Sequence, residues 1–421
     1  AVDTAVFAAR RRAVLAGVGR GVVLVPAAHA RDLEREYLQD NDFRQSNTFF
    51  YLTGLETADA WLVLARRGAD TVDATLLLPP RNPGAERWTG LRLGPDSSVA
   101  VIAGVRRVLP LDSLDAVVGL AVRRAGGPLH VPLDPTTERE PWVDALLHES
   151  RFGAADVGAD VRNLRPVVDS LRMVKDADEV ARLRRAIDIT IEGHLAALHA
   201  LRPGLWEYQL ESVIEGAFRW HGADRVGFPS IVGSGPNSTT LHYDVNRRQM
   251  QDGELVVVDI GAEWGQYTAD VTRTLPVSGR FTQRQRAIYE LVLGAQQAAF
   301  AATRPGVTLG ELHRIAADYL RAHSGSLCGE VTCDRYFVHG LSHHLGMDVH
   351  DVGVAGRGRL EPGMVFTIEP GVYLPAEDLG VRIEDDVLVT ATGAEWLSGH
   401  APRSPQEIER AMRATGAAGR R

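Results

Sequence analysis

Two stretches of this chain repeat one another, and the repeat carries acidic residues in register. RPGLWEYQLESVIEGAFRWHG begins at Arg202 and RPGVTLGELHRIAADYLRAHSG at Arg304. At a constant offset of 102 the RPG triplets coincide, Leu210 meets Leu312, Arg219 meets Arg321 and His221 meets His323. Behind each helix-like stretch a second correspondence follows. DGELVVVDIG (252–261) aligns with PGMVFTIEPG (362–371) at an offset of 110, which puts Asp259 on Glu369. Each half therefore reads as a helix, a strand ending in an acid, and a second acid on the returning strand, Asp270 in one half and Glu384 in the other. Repeated units of this kind bury against each other what neither buries alone. Packed about a pseudo-two-fold axis, they would bring four carboxylates to the middle.

The first half sharpens the chemical question. LVVVDIGAEWGQYTADVTRTL (255–275) reads as a β-hairpin. A two-residue turn at Trp264-Gly265, with glycine supplying positive φ, predicts that 263 pairs with 266 and Asp259 with Asp270. Opposed Cβ atoms lie about 4.5–5.5 Å apart, and like charges there repel. Either one carboxyl stays protonated or a cation lies between them. A metal ion is the common cation of that size. Two aspartates on a solvated face in a loose register would satisfy the same letters. Unpaired carboxylates are costly in an apolar setting, and two divalent ions would neutralise all four acids. Oxygen-rich ligation points to Mn²⁺, Co²⁺ or Zn²⁺ rather than to a thiolate site. One neutral imidazole would complete the set, and HGLSHHLGMDVHD (339–351) offers several.

Length and composition bound the rest. A chain of 421 residues is too long for one ordinary core and predicts two or three domains. Hydrophobic residues at 45% and charged residues at 24% are those of a soluble globular protein. A net charge of −8 argues against nucleic acid as the main partner. Cys328 and Cys333 do not make a disulfide scaffold in so long a chain, and they are expected to be free thiols in a reducing cytosol. No apolar run approaches ~18 residues, so no membrane span is expected. Arg10-Arg11-Arg12 lacks the apolar region of a signal peptide. A cytoplasmic location is the default expectation.

Residues 1–165 alternate strands (GVVLVPA, WLVLARR, ATLLLPP) with helices such as LDSLDAVVGLAVRRAGG, which ends on a glycine stop. They are expected to form an N-terminal α/β domain, followed by a second domain over 166–421. From Asp178 a long amphipathic helix is expected, with Val180, Leu183, Ile187, Ile191, Leu195 and Leu198 at helical spacing. It should end near Arg202-Pro203-Gly204.

LHYDVN, VVDIGAEWGQYTADVTRT, HGLSHHLGMDVHDVG, LEPGMVFTIEPGVY and VRIEDDVLVT follow in order across residues 225–390. They resemble the successive motifs of the creatinase, prolidase and aminopeptidase P superfamily, peptidase family M24. DFRQSNTFFYLTGLETADAWLVL, near the N-terminus, resembles its two-domain aminopeptidase P branch. The fold class implied is α/β: a creatinase-like N-terminal α/β domain, then a pita-bread catalytic domain, α+β with a pseudo-two-fold axis.

Carried over motif by motif, the resemblance implies metal ligands Asp259, Asp270, His343, Glu369 and Glu384. Asp270 and Glu384 would bridge two ions, most often Mn²⁺ with Co²⁺ or Zn²⁺ as alternatives. Asp259 would hold one ion, and His343 with Glu369 the other. His350 would face the scissile carbonyl oxygen, His242 the leaving nitrogen, and His339 would line the pocket. Arg382, two residues from Glu384 on one strand face, is expected to orient that ligand and border the substrate. Tyr373 is expected to touch the metal centre or the substrate. Glu369 would take a proton from the attacking water and pass it on. His194, His199, His313, His323 and His400 are expected to be structural or on the surface, and His344 to sit in its motif without a catalytic part. Glu263 and Asp385 are expected to be exposed strand-end acids. Trp88 resembles a family tryptophan that can reach a neighbouring subunit's site; packing within its own domain is the alternative.

The implied reaction is hydrolysis of the bond between an N-terminal residue and a penultimate proline, by a hydroxide between two metals. That bond is a tertiary amide with no N–H and a fixed φ, which peptidases expecting an N–H handle poorly. The HGLSH wording and the N-terminal resemblance favour an aminopeptidase P acting on peptides. A prolidase, limited to Xaa-Pro dipeptides, would need a cation for the C-terminal carboxylate, and Arg357 or Arg359 could serve. A silent peptide-binding scaffold is opposed by five intact ligands. The N-terminal domain of this branch implies a homodimer or homotetramer.

Overall fold

The computed structural model describes residues 4–30, 43–67, 71–133, 160–353 and 358–414. They form two compact units, Ala1–Leu171 and Arg172–Arg421.

The first unit is built on a mixed six-stranded sheet. In spatial order its strands are Arg107–Pro110, Val72–Leu78, Trp61–Arg66, Val22–Pro26, Leu129–Val131 and Val161–Asn163. The middle three pair antiparallel and the outer ones parallel. The three strands expected from the sequence, Val22–Pro26, Trp61–Arg66 and Val72–Leu78, form because their residues are mostly apolar and largely buried, as strands covered on both faces require. The helix Leu114–Ala125 stops at Gly126, whose φ of 58° lets its N–H reach Val122 O. Val118 and Val122 from that helix pack on Val22, Leu24, Val63 and Leu129 of the sheet.

The second unit carries the repeat as matched helix pairs. Ala177–Ala200 with Glu207–Trp220 answers Gln283–Ala302 with Leu309–His323, each pair joined through an RPG corner. Asp176 starts the first long helix with a capping box, its carboxylate taking Glu179 N–H at 3.0 Å while Glu179 returns a bond to Asp176 N–H. Leu183, Ile187, Ile191 and Leu198 are buried. Behind the helices lie short antiparallel sheets. Val271–Pro276, Leu255–Ile260 and Ile231–Ser234 form one; Val365–Ile368, Asp385–Val389 and Ala394–Trp396 form its counterpart. This is the pita-bread arrangement.

Three expectations are corrected. The hairpin turns at Gly265-Gln266, with φ of 56° and 69°, closed by Trp264 opposite Tyr267. Thr272, not Asp270, therefore sits opposite Asp259. Tertiary anchors fix this register: Gly265 N–H bonds Asp224 and Gly265 O accepts from Arg182. Asp270 becomes a diagonal neighbour of Asp259, which opens the space between them. Cys328 and Cys333 are joined in a disulfide, with Cα atoms 5.3 Å apart, rather than free. Ser324 folds that turn back by accepting Cys333 N–H at 2.7 Å, and the thiol argument for a reducing compartment falls away. Glu263 and Asp385 are buried. Glu263 pairs with Arg225, and Asp385 with Arg273 at 2.8 Å and Arg403 at 2.9 Å.

Candidate active site

The two halves meet along the returning strand of the hairpin. Glu384 N–H bonds Thr272 O at 3.1 Å, and Thr272 Oγ1 donates to Glu384 Oε2 at 2.6 Å. Thr274 Oγ1 takes Arg382 N–H at 3.0 Å and gives its own hydrogen to Arg382 O at 2.8 Å. Two threonines thus stitch the acid-bearing segments together. On the other side, residues 341–345 run beside Val365–Ile368: Leu345 N–H bonds Val365 O, Thr367 N–H bonds His343 O, and Glu369 N–H bonds Leu341 O. That pairing sets His343 next to Glu369.

His343 Nε2 lies 3.3 Å from Asp270 Oδ2, 3.7 Å from Glu369 Oε1 and 3.8 Å from Glu384 Oε1. Donor atoms sharing one ion at 2.0–2.2 Å stand about 3–3.5 Å apart, so this spacing suits a common cation. Asp270, His343 and Glu384 each offer a ligand atom, and these atoms lie within 4.8 Å of one another. Asp259 Oδ1, Asp270 Oδ1 and Glu384 Oε1 are buried with no hydrogen-bond partner. Such orphans are expensive for a fold to keep, and a divalent ion would satisfy all three. Burial, and then the charge of Glu384 and Asp259, push the Asp270 carboxyl well above its ordinary range. Burial and the charges of Glu369 and Asp259 do the same to Glu384. Glu369 is raised to about 8, again by burial first. His343 is lowered to about 4 by burial, so it is neutral at pH 7 and free to donate a lone pair. The donor set fits metal ions, whose charge would reverse the upward shifts.

Arg382 is placed differently from expectation. Its guanidinium holds Asp259 Oδ2 at 2.7 Å and Tyr373 OH at 3.0 Å. It reaches Glu384 only through Thr272, whose hydroxyl accepts from Arg382 Nε at 3.3 Å. The strand alternation put Arg382 and Glu384 on one face but did not show that the opposite half offers the nearer acid. Tyr373 OH also lies 2.8 Å from His339 Nε2. Burial holds His339 near 4. Tyr373 therefore accepts from Arg382 and donates to a neutral imidazole. His350, on the exposed rim, stands edge-on to His343 at 4.4 Å between centroids and 6.4 Å from His242. All the expected site residues are thus drawn into one region.

Two of the histidines set aside lie apart from this group. His194 Nε2 donates to Val271 O at 2.9 Å in the core, and His400 pairs with Asp188 at the surface. Trp88 is 90% exposed, so packing within its own domain is not its role. Arg359 bonds Gly306 O at 2.6 Å, and Arg357 lies outside the described residues.

Sequence reasoning missed three charged groups. Asp386 is fully buried, and its Oδ2 accepts Asp270 N–H at 3.2 Å. Only the doubled acid in IEDD hinted at it. Asp351, next to His350, is held by Lys175 Nζ at 3.0 Å and Arg172 Nη2 at 2.5 Å, all three buried. Lys175 is the only lysine of the chain, a signal that could have been read. Glu207 is wholly buried, at the start of its helix.

Residues 181–391 match metallopeptidase family M24, and residues 7–128 match the aminopeptidase P N-terminal domain. An Xaa-Pro aminopeptidase of Escherichia coli (strain K12) is 36% identical over 430 residues, spanning 96% of this chain and 97% of its own. Proline aminopeptidase P II from Yersinia pestis is similar in structure, with a TM-score of 0.86 and 34% identity over 98% of this chain and 100% of that one. Zinc-substituted Escherichia coli aminopeptidase P in complex with product gives a TM-score of 0.86 and 34% identity, over 98% and 99% of the two chains.

Proposed function

From the premise that the chain belongs to metallopeptidase family M24 and carries the N-terminal domain of aminopeptidase P, we propose the following account of its reaction. It is a metal-dependent Xaa-Pro aminopeptidase, which hydrolyses the bond between an N-terminal residue and a penultimate proline. The observation that carries this is the group of Asp270, His343 and Glu384, its acids buried and its imidazole half-buried, with one carboxylate oxygen each of Asp259, Asp270 and Glu384 left unsatisfied.

Asp259, Asp270, His343, Glu369 and Glu384 would hold two divalent ions, with Mn²⁺ the favoured metal and Zn²⁺ or Co²⁺ compatible with the same donors. Bound there, the ions supply Lewis acidity and lower the pKa of water. The chain's own residues do the rest. Arg382 fixes Asp259, and Thr272 fixes Glu384, so neither acid has to reorganise as charge develops. Glu369, the least shielded of the ligand acids, takes a proton from water and returns it to the proline nitrogen. His350 donates a hydrogen bond to the oxygen that becomes negative as the carbonyl is attacked. His242 lies toward the leaving nitrogen, and His339 with Tyr373 walls the pocket. Nothing in this scheme needs an N–H on the scissile bond, which is why a proline amide is a fitting substrate.

The dipeptidase reading is weakened because Arg359 is committed to a backbone carbonyl. Trp88 at 90% exposure and Leu91 at 85% leave apolar surface on the N-terminal unit; they support a homodimer or homotetramer. A cytoplasmic location remains part of this reading. No helix among the described residues is long and apolar enough to cross a membrane. The discriminating experiment offers Mn²⁺-loaded protein a Gly-Pro dipeptide and an Xaa-Pro-Yaa tripeptide with a blocked C-terminus. Cleavage of the blocked tripeptide is expected. Cleavage of the dipeptide alone would make the enzyme a prolidase.

A further inference from the structure

His242 lies on the connection between the strands Ile231–Ser234 and Leu255–Ile260, with its ring exposed. No helix or strand holds it in place, yet both of its neighbours in sequence are tied. Leu241 O accepts from Arg382 Nη2 at 3.3 Å. Tyr243 OH donates to Glu207 Oε2 at 2.8 Å.

Glu207 belongs to none of the machinery described above. It is 0% exposed and opens the helix Glu207–Trp220. Its carboxylate collects four more donors from the same connection. Oε1 accepts Ser234 N–H at 2.9 Å, Ser234 Oγ at 2.7 Å and Asn237 Nδ2 at 3.1 Å; Oε2 accepts Arg248 N–H at 2.8 Å. The donors bracket His242 from residue 234 to residue 248. Charge-assisted bonds of this kind are about twice as strong as neutral ones, and these five donors fully occupy the roughly four lone-pair sites that a carboxylate offers. The internal repeat shows that a helix start of this type does not itself call for an acid: the position 102 residues on is Leu309, which packs in the core.

We propose that Glu207 is a positioning residue for His242, which it holds at the active site by tying down both arms of its loop. The inference rests on the assignment of His242 to the leaving nitrogen. Glu207→Gln keeps the shape but turns an acceptor toward the donors into an NH₂ group. It is expected to lower kcat/KM roughly 10-fold to 100-fold, the usual consequence of a misplaced group, chiefly in kcat and with metal content unchanged. In a His242→Ala background the same change should cost less than about twofold, because residues acting as one unit are non-additive. NMR of labelled imidazoles should show the His242 signal shifted or broadened by Glu207→Gln. Equal losses in both backgrounds, with an unmoved His242 signal, would overturn the proposal. If Glu207→Gln does not fold, Tyr243→Phe removes the hydroxyl that donates to Glu207 and accepts from Arg247 N–H, and enters the same cycle; additivity there overturns the proposal as well. An unchanged kcat/KM in His242→Ala would sink the assignment of His242 to the reaction, and the NMR signal would still decide whether Glu207 holds its loop.

Discussion

Asp259, Asp270 and Glu384 each keep one buried oxygen without a hydrogen-bond partner, while their other oxygens or backbones are firmly held. A fold keeps such atoms where a ligand completes them. Asp270→Asn and Glu384→Gln should each lower activity by at least about a thousandfold, since the loss is of the ion and not of one contact. Metal analysis should find less than two ions per chain in both; full occupancy with full activity would refute their role. The same acids set a pH dependence in the metal-free protein. Folded Asp270, Glu369 and Glu384 titrate above their unfolded values, Glu369 at about 8. The folded state then binds more protons than the unfolded one, so stability falls as pH rises through that window. His194, which is buried, and half-buried His339 and His343, all lowered from 6.5 to about 4, act in the opposite sense but only below pH 6.5. Between pH 6.5 and 8 the acids therefore dominate. The Tm of EDTA-treated protein should drop across that range, while the gain on adding Mn²⁺ should grow, because binding displaces protons. A metal-free Tm that rises over the same range would contradict the assignment.

At the level of elements, the hairpin shows what sequence could and could not reveal. The apolar run into Asp259, the return through Asp270 and the matching pair Glu369 and Glu384 were all legible from the repeat. The register was not. A turn at Gly265-Gln266 needs positive φ at a glutamine, uncommon outside glycine, and what holds it there is Asp224 and Arg182, far away in sequence. The partner of Arg382 was hidden for the same reason, because it lies across the seam between the halves. The burial of the acids Glu263, Asp385 and Asp386 was equally unreadable, since each is paired or bonded by a group remote in sequence. The loop carrying His350 rests on another such cluster. In a chain where every other basic side chain apart from histidine is arginine, Lys175 is buried against Asp351 beside Arg172. A compact ammonium fits where a guanidinium would not. Lys175→Arg should therefore destabilise the fold by about 1–3 kcal/mol through overpacking. Asp351→Ala, which takes away the acid that Lys175 bonds and the nearer of the two acids paired with Arg172, should cost about 3–5 kcal/mol. Urea denaturation measures both; a Lys175→Arg protein as stable as the parent would show that the site takes either cation.

On the scale of the whole molecule, the second unit is one motif used twice and joined at its acids. Arg273, from the first half, donates to Glu384 O at 2.7 Å and pairs with buried Asp385 of the second. The joint that makes the fold continuous is thus also the joint that builds the site. Neither half alone assembles the ligand set, because Asp259 and Asp270 come from one and His343, Glu369 and Glu384 from the other. The N-terminal unit, with its mixed sheet, contributes none of these five. The most direct measurement is hydrolysis of a C-terminally blocked Xaa-Pro-Yaa tripeptide by three samples in parallel: Mn²⁺-loaded protein, the same protein stripped with EDTA, and the stripped protein resupplied with Mn²⁺. Release of the first residue by the loaded sample, its loss on stripping and its return on resupply are the predicted results. Cleavage that survives stripping, or no cleavage with two ions confirmed bound, would contradict the account.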